Sequence, residues 1–81
     1  MDVRDAAFAI AADYPGGVAV PAIRMGMDAA ELRAKLDPRN KAESLSLHES
    51  VALQFLSGDH RILHAMANEL GYRCVPIDAP T

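Results

Sequence analysis

The stretch Val18-Ala-Val-Pro-Ala-Ile-Arg-Met-Gly-Met-Asp-Ala-Ala-Glu-Leu-Arg-Ala-Lys-Leu36 joins a short apolar segment to a more polar one through a glycine. Ala22 is a small residue at which the backbones of two helices can approach closely, and Gly26 follows it four residues later. Glycine adopts positive φ without steric cost, which tight turns require. Because two helices joined by a turn of about three or four residues need both features, this stretch predicts a helix-turn-helix.

The second helix of this unit has recognisable ends. Asp28 is a favourable N-cap residue, and Glu31 occupies the capping-box position three residues later. The Asp-Pro pair at 37–38 ends the helix, because a residue that precedes proline is driven out of the helical conformation. Leu32 and Leu36 are one helical turn apart, and we expect them to be its buried anchors.

Proline constrains the first helix of the unit. Pro21 fits only in a first turn, where the N–H that proline lacks has no helical partner. We therefore expect this helix at about 18–25, beginning no earlier than Val18 and no later than Val20.

Three further helices flank the unit, at about 3–13, 47–57 and 60–70. A Pro-Gly-Gly turn ends the first, Ser46 and Glu49 form a capping box for the second, and Asp59 is the expected cap of the third. Gly58 and Gly71 supply the C-terminal stops. The spacing of apolar residues predicts the buried faces of these helices. They are Val3, Ala7, Ile10 and Tyr14; Leu47, Val51 and Phe55 with Leu56 beside them; and Ile62, Leu63, Met66, Ala67 and Leu70.

Five short helices with tight loops form a compact all-α domain, and a helix-turn-helix within it is typical of repressor-like DNA-binding folds. We expect this helix-turn-helix domain over residues 1–72 and an extended C-terminal tail over 73–81. A short strand at 74–77 is an alternative for part of the tail. Three methionines, Met25, Met27 and Met66, are expected to fill the core, with exposure as the alternative for Met27 because it lies in the turn.

Length and charge bound the function. The chain has 81 residues, which is one small domain. The net charge of −3 counts against strong nonspecific binding to DNA. Residues 24–41 nevertheless carry five of the eight basic side chains against three acidic ones, for a local charge of +2. Binding of nucleic acid to this locally basic segment is therefore still possible.

Compartment and chemistry are bounded as well. Cys74 is the only cysteine in the sequence, which is typical of a protein in a reducing compartment. The sequence shows no leader and no long apolar run. We therefore expect a cytoplasmic protein without a membrane partner. His60 and His64 have a spacing that can share zinc, but further ligands are lacking, and a structural role is favoured. No nucleophile elbow or phosphate-binding loop is present. We therefore expect no enzyme activity, metal or cofactor.

From residue 5 to residue 77 the chain resembles the CII-type regulatory proteins of temperate tailed phages. The order and spacing of several short motifs carry the resemblance. They are Asp13-Tyr-Pro-Gly-Gly-Val18, Arg24-Met-Gly-Met27, Leu32-Arg33 with Lys35 and Asp37-Pro38, Leu45-Ser-Leu47, Gly58-Asp59, Arg61-Ile-Leu-His64, and Glu69-Leu-Gly-Tyr72 with Cys74-Val-Pro76. Pro21 departs from the pattern, since a helix former is expected at that position.

The resemblance implies a small helix-turn-helix transcription regulator that acts in the lysis–lysogeny decision of a phage or prophage, as an oligomer in the bacterial cytoplasm. Operator DNA is the implied partner, with RNA polymerase or another phage regulator as further candidates. The resemblance does not separate an activator from a repressor.

In DNA-bound helix-turn-helix proteins the second helix enters the major groove, and its exposed start and middle meet base edges. The expected base-reading residues are Asp28, Ala29, Ala30, Arg33 and Ala34. Of these, only Arg33 can pair with guanine through two hydrogen bonds. The expected contacts to the DNA backbone are Arg24, Lys35, Arg39, Asn40 and Lys41, whose alternative is an ordinary solvated basic patch.

Two alternatives concern protein contacts. The helix pair can instead serve only packing or protein–protein interaction, without binding DNA. Separately, the chain has more apolar side chains than one small core can bury, among them Phe55, Leu56, Val75 and Ile77. We therefore expect helices four and five or the tail to form a subunit interface.

Overall fold

The computed structural model describes residues 1–77, and these residues contain five α-helices and no strand. The helices are α1 (Val3–Asp13), α2 (Ala19–Arg24), α3 (Ala29–Leu36), α4 (Leu47–Ser57) and α5 (Arg61–Glu69). Each of the five predicted helices is present with ends within one residue of those expected, and the all-α fold class is confirmed. The alternative of a short strand at 74–77 is wrong, because the described residues offer no second strand for it to pair with. Residues 78–81 of the expected tail lie outside the described residues.

The turn between α2 and α3 is closed by backbone hydrogen bonds. Met27 N–H donates to the carbonyl of Ala22 at 3.0 Å, and Gly26 N–H donates to the carbonyl of Ile23 at 3.1 Å. This pair of bonds is a Schellman motif, which requires a left-handed residue after the helix, and Gly26 supplies it with φ of +77°. Pro21 is buried as the third residue of α2, so the first-turn position expected for it is confirmed.

The core is built around α1, which packs most extensively against α5. Small side chains of α1, Ala6 and Ala11, are fully buried and let the neighbouring helices approach closely. Larger apolar side chains fill the remaining space, and all of them are less than 5% exposed: Ile10, Leu32, Leu36, Leu53 and Ile62. The predicted anchors of α3 are therefore confirmed, whereas Val3 and Tyr14 of the predicted α1 face are only half-buried.

The predicted faces of α4 and α5 are largely wrong. Leu47, Val51 and Phe55 are 78%, 65% and 84% exposed, and α4 buries Leu53 instead. On α5 the buried residues are Ile62 and Ala65, whereas three of the predicted apolar residues stay exposed: Leu63, Met66 and Leu70. Both helices carry apolar residues on more than one face, so apolar spacing alone does not decide which face packs against α1.

One glutamate ties α4 to α3. Glu49 Oε1 accepts the Ser46 N–H at 2.9 Å and completes the predicted capping box, in which Ser46 Oγ accepts the Glu49 N–H. Glu49 Oε2 accepts a hydrogen bond from Lys35 Nζ of α3 at 2.7 Å. The Lys35 hydrogen bond, followed by the bond from the Ser46 backbone, lowers the pKa of the Glu49 carboxyl.

Replacing a buried isoleucine should cost far more stability than replacing an exposed one. Ile10 is 1% exposed and Ile23 is 77% exposed. We expect Ile10→Ala to lower the free energy of unfolding by about 2–5 kcal/mol, because it leaves a cavity at the centre of the core. The matched Ile23→Ala change should stay within about 0.5 kcal/mol. Urea denaturation followed by circular dichroism measures both, and equal losses would contradict this description of the core.

The contribution of Glu49 to stability should depend on pH. Because folding lowers its pKa, the ionised carboxylate stabilises the native state above the ordinary glutamate pKa of about 4.3. This contribution is lost as pH falls through the lower native pKa. We expect Glu49→Gln to be less stable than wild type at pH 7, with the difference shrinking under acid conditions. Urea titrations across this pH range test it, and a difference that does not change with pH would exclude the coupling.

Candidate nucleic-acid interface

Burial of Leu32 and Leu36 fixes which side of α3 meets solvent. Among the predicted base-reading residues, Asp28, Ala30 and Arg33 are exposed, and Ala29 and Ala34 are half-buried. Ala29 packs against the core, and the carbonyl of Ala34 accepts a hydrogen bond from the loop that follows α3. The free surface of the helix therefore centres on Ala30 and Arg33, which are three residues apart and share one face.

Asp28 is occupied at the helix N-terminus. Its Oδ1 accepts the Glu31 N–H at 3.4 Å, so the predicted N-cap is present. The Glu31 side chain lies 3.7 Å from Lys35 Nζ, one turn further along the helix. The carboxylate of Asp28 thus compensates the helix terminus and leaves Arg33 as the charged group in the middle of the exposed face.

Three of the predicted cations are exposed without an ion pair anywhere in residues 1–77: Arg24, Arg33 and Lys41. Arg39 is 91% exposed, and its Nε lies 3.2 Å from Asp37 Oδ1. The Arg39 backbone N–H, then its side chain, lowers the pKa of Asp37. These four cations come from the end of α2, the middle of α3 and the loop that follows α3.

Two of the predicted backbone-contact residues have partners inside the protein. Lys35 is 19% exposed and bonded to Glu49, and this hydrogen bond raises the pKa of its ammonium group. Asn40 Nδ2 donates to the carbonyl of Ala34 at 3.0 Å, while its Oδ1 accepts the N–H groups of Ala42 and Glu43 at 2.9 and 3.2 Å. Lys35 therefore joins two helices, and Asn40 shapes the loop after α3.

Arg4 also holds this region, although nothing in the sequence indicated it. Its guanidinium, carried by the first turn of α1, donates to four backbone carbonyls at 2.6 to 3.3 Å. They belong to Lys35, Asp37, Asn40 and Glu43. Because the acceptors are main-chain groups 31 to 39 residues away, no side-chain motif marks the interaction.

An apolar groove borders this surface. It has a volume of about 660 Å³, and Phe8 of α1 and Arg33 of α3 lie on its walls together with Pro38 and Arg39. Phe8 is 53% exposed. The groove places apolar surface directly beside the exposed arginines.

The histidines do not form a shared site. His60 lines a surface groove with Val51 and Phe55, whereas His64 lines another with Cys74. Within residues 1–77, no group of three or more His, Cys, Asp or Glu side chains is arranged to hold a metal ion. Across the same part of the chain, every helix is too short or too polar to cross a membrane.

Comparison with known proteins identifies a family for the chain. Searches of curated proteins and of solved structures each gave no match. The family model for phage regulatory protein CII (CP76) matches residues 2–81, nearly the whole chain, and confirms the resemblance carried by the sequence motifs. The chain therefore belongs to the phage regulatory protein CII (CP76) family.

Proposed function

We propose that this protein is a phage or prophage transcription regulator that binds operator DNA through α3. The observation that carries the proposal is the exposed Arg33 on the second helix of a tightly closed helix pair, in a chain of a phage regulatory family. Second helices of such pairs enter the major groove. Control of the lysis–lysogeny decision in the bacterial cytoplasm is the corresponding biological role, and RNA polymerase or another phage regulator is the further partner it implies.

Base recognition is assigned to the exposed side of α3. Arg33 is the group suited to donate two hydrogen bonds to a guanine, and Ala30 offers a methyl group for contact with thymine. Asp28, Ala29 and Ala34 flank these two residues, with Asp28 engaged in capping. The small number of base contacts predicts modest specificity for one copy of the domain.

Contacts with phosphates are assigned to cations around α3. Arg24, Arg39 and Lys41 are exposed and can reach a neighbouring backbone without losing a buried partner. Lys35 and Asn40 belong to the same surface but already have internal partners, so we assign them supporting contacts through their remaining hydrogen-bonding groups. Attraction between these cations and the phosphates would offset the repulsion between DNA and a protein whose net charge is −3.

A second copy of the chain is the proposed partner for the exposed face of α4 and α5. Leu47, Val51 and Phe55 form a stripe at helical spacing on α4, and Leu63 of α5 lines the same groove as Val51 and Phe55. A contiguous apolar surface on so small a domain is typical of a subunit interface. Pairing of two copies would also give two reading helices for repeated half-sites, which raises affinity through multivalency.

The alternative function is a protein-interaction module that keeps the helix pair but does not bind DNA. The acidic net charge and the three alanines among the reading positions favour it. Salt dependence separates the two functions, because DNA binding weakens steeply with salt in proportion to the phosphates contacted.

Two substitutions should separate base recognition from phosphate binding. With a duplex that the protein selects from a random pool, Arg33→Ala should weaken binding by about 1–3 kcal/mol and relax specificity at one position. Lys41→Ala should instead weaken binding to all duplexes similarly and make the salt slope shallower by about one unit. Fluorescence anisotropy at several salt concentrations measures both effects.

Arg73→Ala is the matched control, because Arg73 is an exposed arginine after α5 and outside the helix pair. It should leave affinity and specificity unchanged. Unchanged operator affinity in Arg33→Ala would remove Arg33 from the reading role, and failure of the wild-type protein to select any duplex would favour the interaction module.

Substitution on the α4 face should dissociate the oligomer without unfolding the domain. Phe55 is 84% exposed, so Phe55→Asp should retain the helices while placing two carboxylates against each other in a symmetric interface. We expect wild type to form a dimer or larger assembly at micromolar concentration and Phe55→Asp to be monomeric, as measured by sedimentation velocity. Ile23→Asp, at a similarly exposed residue of α2, should keep the wild-type mass. A monomeric wild type would refute the interface.

A further inference from the structure

We infer that Arg4 is a positioning residue for the DNA interface: its guanidinium holds the loop that carries Arg39 and Lys41 in a binding-competent conformation. The inference rests on the proposed function, since it concerns how the same surface reaches phosphates. Arg4 lies in the first turn of α1, on a different helix from every residue assigned to DNA contact.

The geometry of the Arg4 site is that of a clamp on the main chain. Nη1 donates to the carbonyl of Asn40 at 2.6 Å, and Nη2 donates to those of Asp37 and Glu43 at 2.8 and 2.9 Å. A longer bond of 3.3 Å reaches the carbonyl of Lys35. One planar group therefore joins the end of α3 to both the beginning and the later part of the loop at 37–45.

The charge of Arg4 suits this position. The last carbonyls of a helix lack helical partners and carry partial negative charge. Lys35 belongs to the last turn of α3, and Asp37 is the C-cap residue of this helix. A cation that donates to both of these carbonyls satisfies them and stabilises the end of the proposed reading helix.

Arg4 adds to a small set of contacts that order the loop. Residues 37–45 contain no helix, and their other contacts include the side-chain bonds of Asp37 and Asn40, one backbone bond from the Asn40 N–H to the Asp37 carbonyl at 3.0 Å, and the packing of Leu45 against the core. The side chains of Arg39 and Lys41 are exposed, so they do not anchor the loop by burial. A loop that had to become ordered on binding would lose affinity through conformational entropy. Arg4 removes this cost before DNA arrives.

Lysine cannot replace Arg4 in this role. Its three donors radiate from one nitrogen, whereas the guanidinium presents donors along a rigid planar fork. Arg4→Lys therefore keeps the charge and loses the simultaneous contacts. This distinguishes positioning from a direct phosphate contact, in which lysine also supplies the positive charge that neutralises the phosphate.

The test compares Arg4→Lys and Arg4→Gln with the control Arg73→Lys in the full-length protein. Amide hydrogen exchange reports the order of residues 37–45, and anisotropy with the selected duplex reports affinity and salt slope. We expect both Arg4 variants to keep the helical circular dichroism signal and to exchange faster in the loop. Affinity should fall by about 5- to 30-fold, with the salt slope shallower by about one to two units. Arg73→Lys should match wild type in every readout.

A double-mutant cycle with Arg39→Ala/Lys41→Ala isolates the coupling. If Arg4 acts through these two cations, Arg4→Lys should cause little further loss in that background, because interacting residues give non-additive effects. Additive losses would overturn the inference, as would Arg4 variants that loosen the loop but keep wild-type affinity and salt slope. Wild-type protein that binds no duplex is a separate failure, which overturns the proposed function and removes the positioning role with it.

If Arg4→Gln fails to fold, the same measurements are made on Arg4→Lys alone, because this variant preserves the positive charge at the end of α3. Where neither variant keeps its helices, Arg4 is required for the fold itself, and this result also overturns a specific positioning role.

Discussion

Burial of Leu32 and Leu36 is the constraint on which the rest of the surface depends. Both side chains of α3 are at most 2% exposed, within the same core cluster as Ile10 of α1. Since the rotation of a helix is fixed once two residues a turn apart are buried, Ala30 and Arg33 are directed to solvent. The Schellman turn at Gly26 then fixes where α3 starts relative to α2. The chemistry of the proposed interface thus follows from packing on the opposite side of one eight-residue helix.

Two long-range polar contacts hold the other end of α3. The Lys35 ammonium binds Glu49 at the start of α4, and the Arg4 guanidinium binds main-chain carbonyls at and after the end of α3. They connect the short helix to α4 and to α1. Short helices have little intrinsic stability in water and depend on tertiary contacts of this kind. The region assigned to DNA is consequently supported at the turn by backbone bonds and at its far end by charged side chains.

The sequence predicts most helix ends because their signals are local, although the N-cap of α5 is His60, without a side-chain cap bond, rather than the expected Asp59. Ser46 with Glu49, Asp28 with the backbone of Glu31, and Gly26 all act within a few residues, and each is present in the structure. Helix rotation is predicted only where one face is apolar, as in α3. In α4 the stripe from Leu47 to Phe55 is regular in sequence, yet Leu53 is buried, because apolar residues occupy several faces. The internal partners of Lys35 and the role of Arg4 depend on residues 14 to 39 positions away, which local patterns do not specify.

The most direct test of the central claim is a map of the DNA-binding surface by two-dimensional ¹H–¹⁵N NMR. The wild-type protein is titrated with the duplex it selects and, separately, with a scrambled duplex of equal length. We expect amide shift changes concentrated in the turn at Gly26, in α3 and in the loop at 37–45, and these changes should be stronger for the selected duplex. Shift changes confined to α4 and α5, or no changes at excess duplex, would contradict this claim.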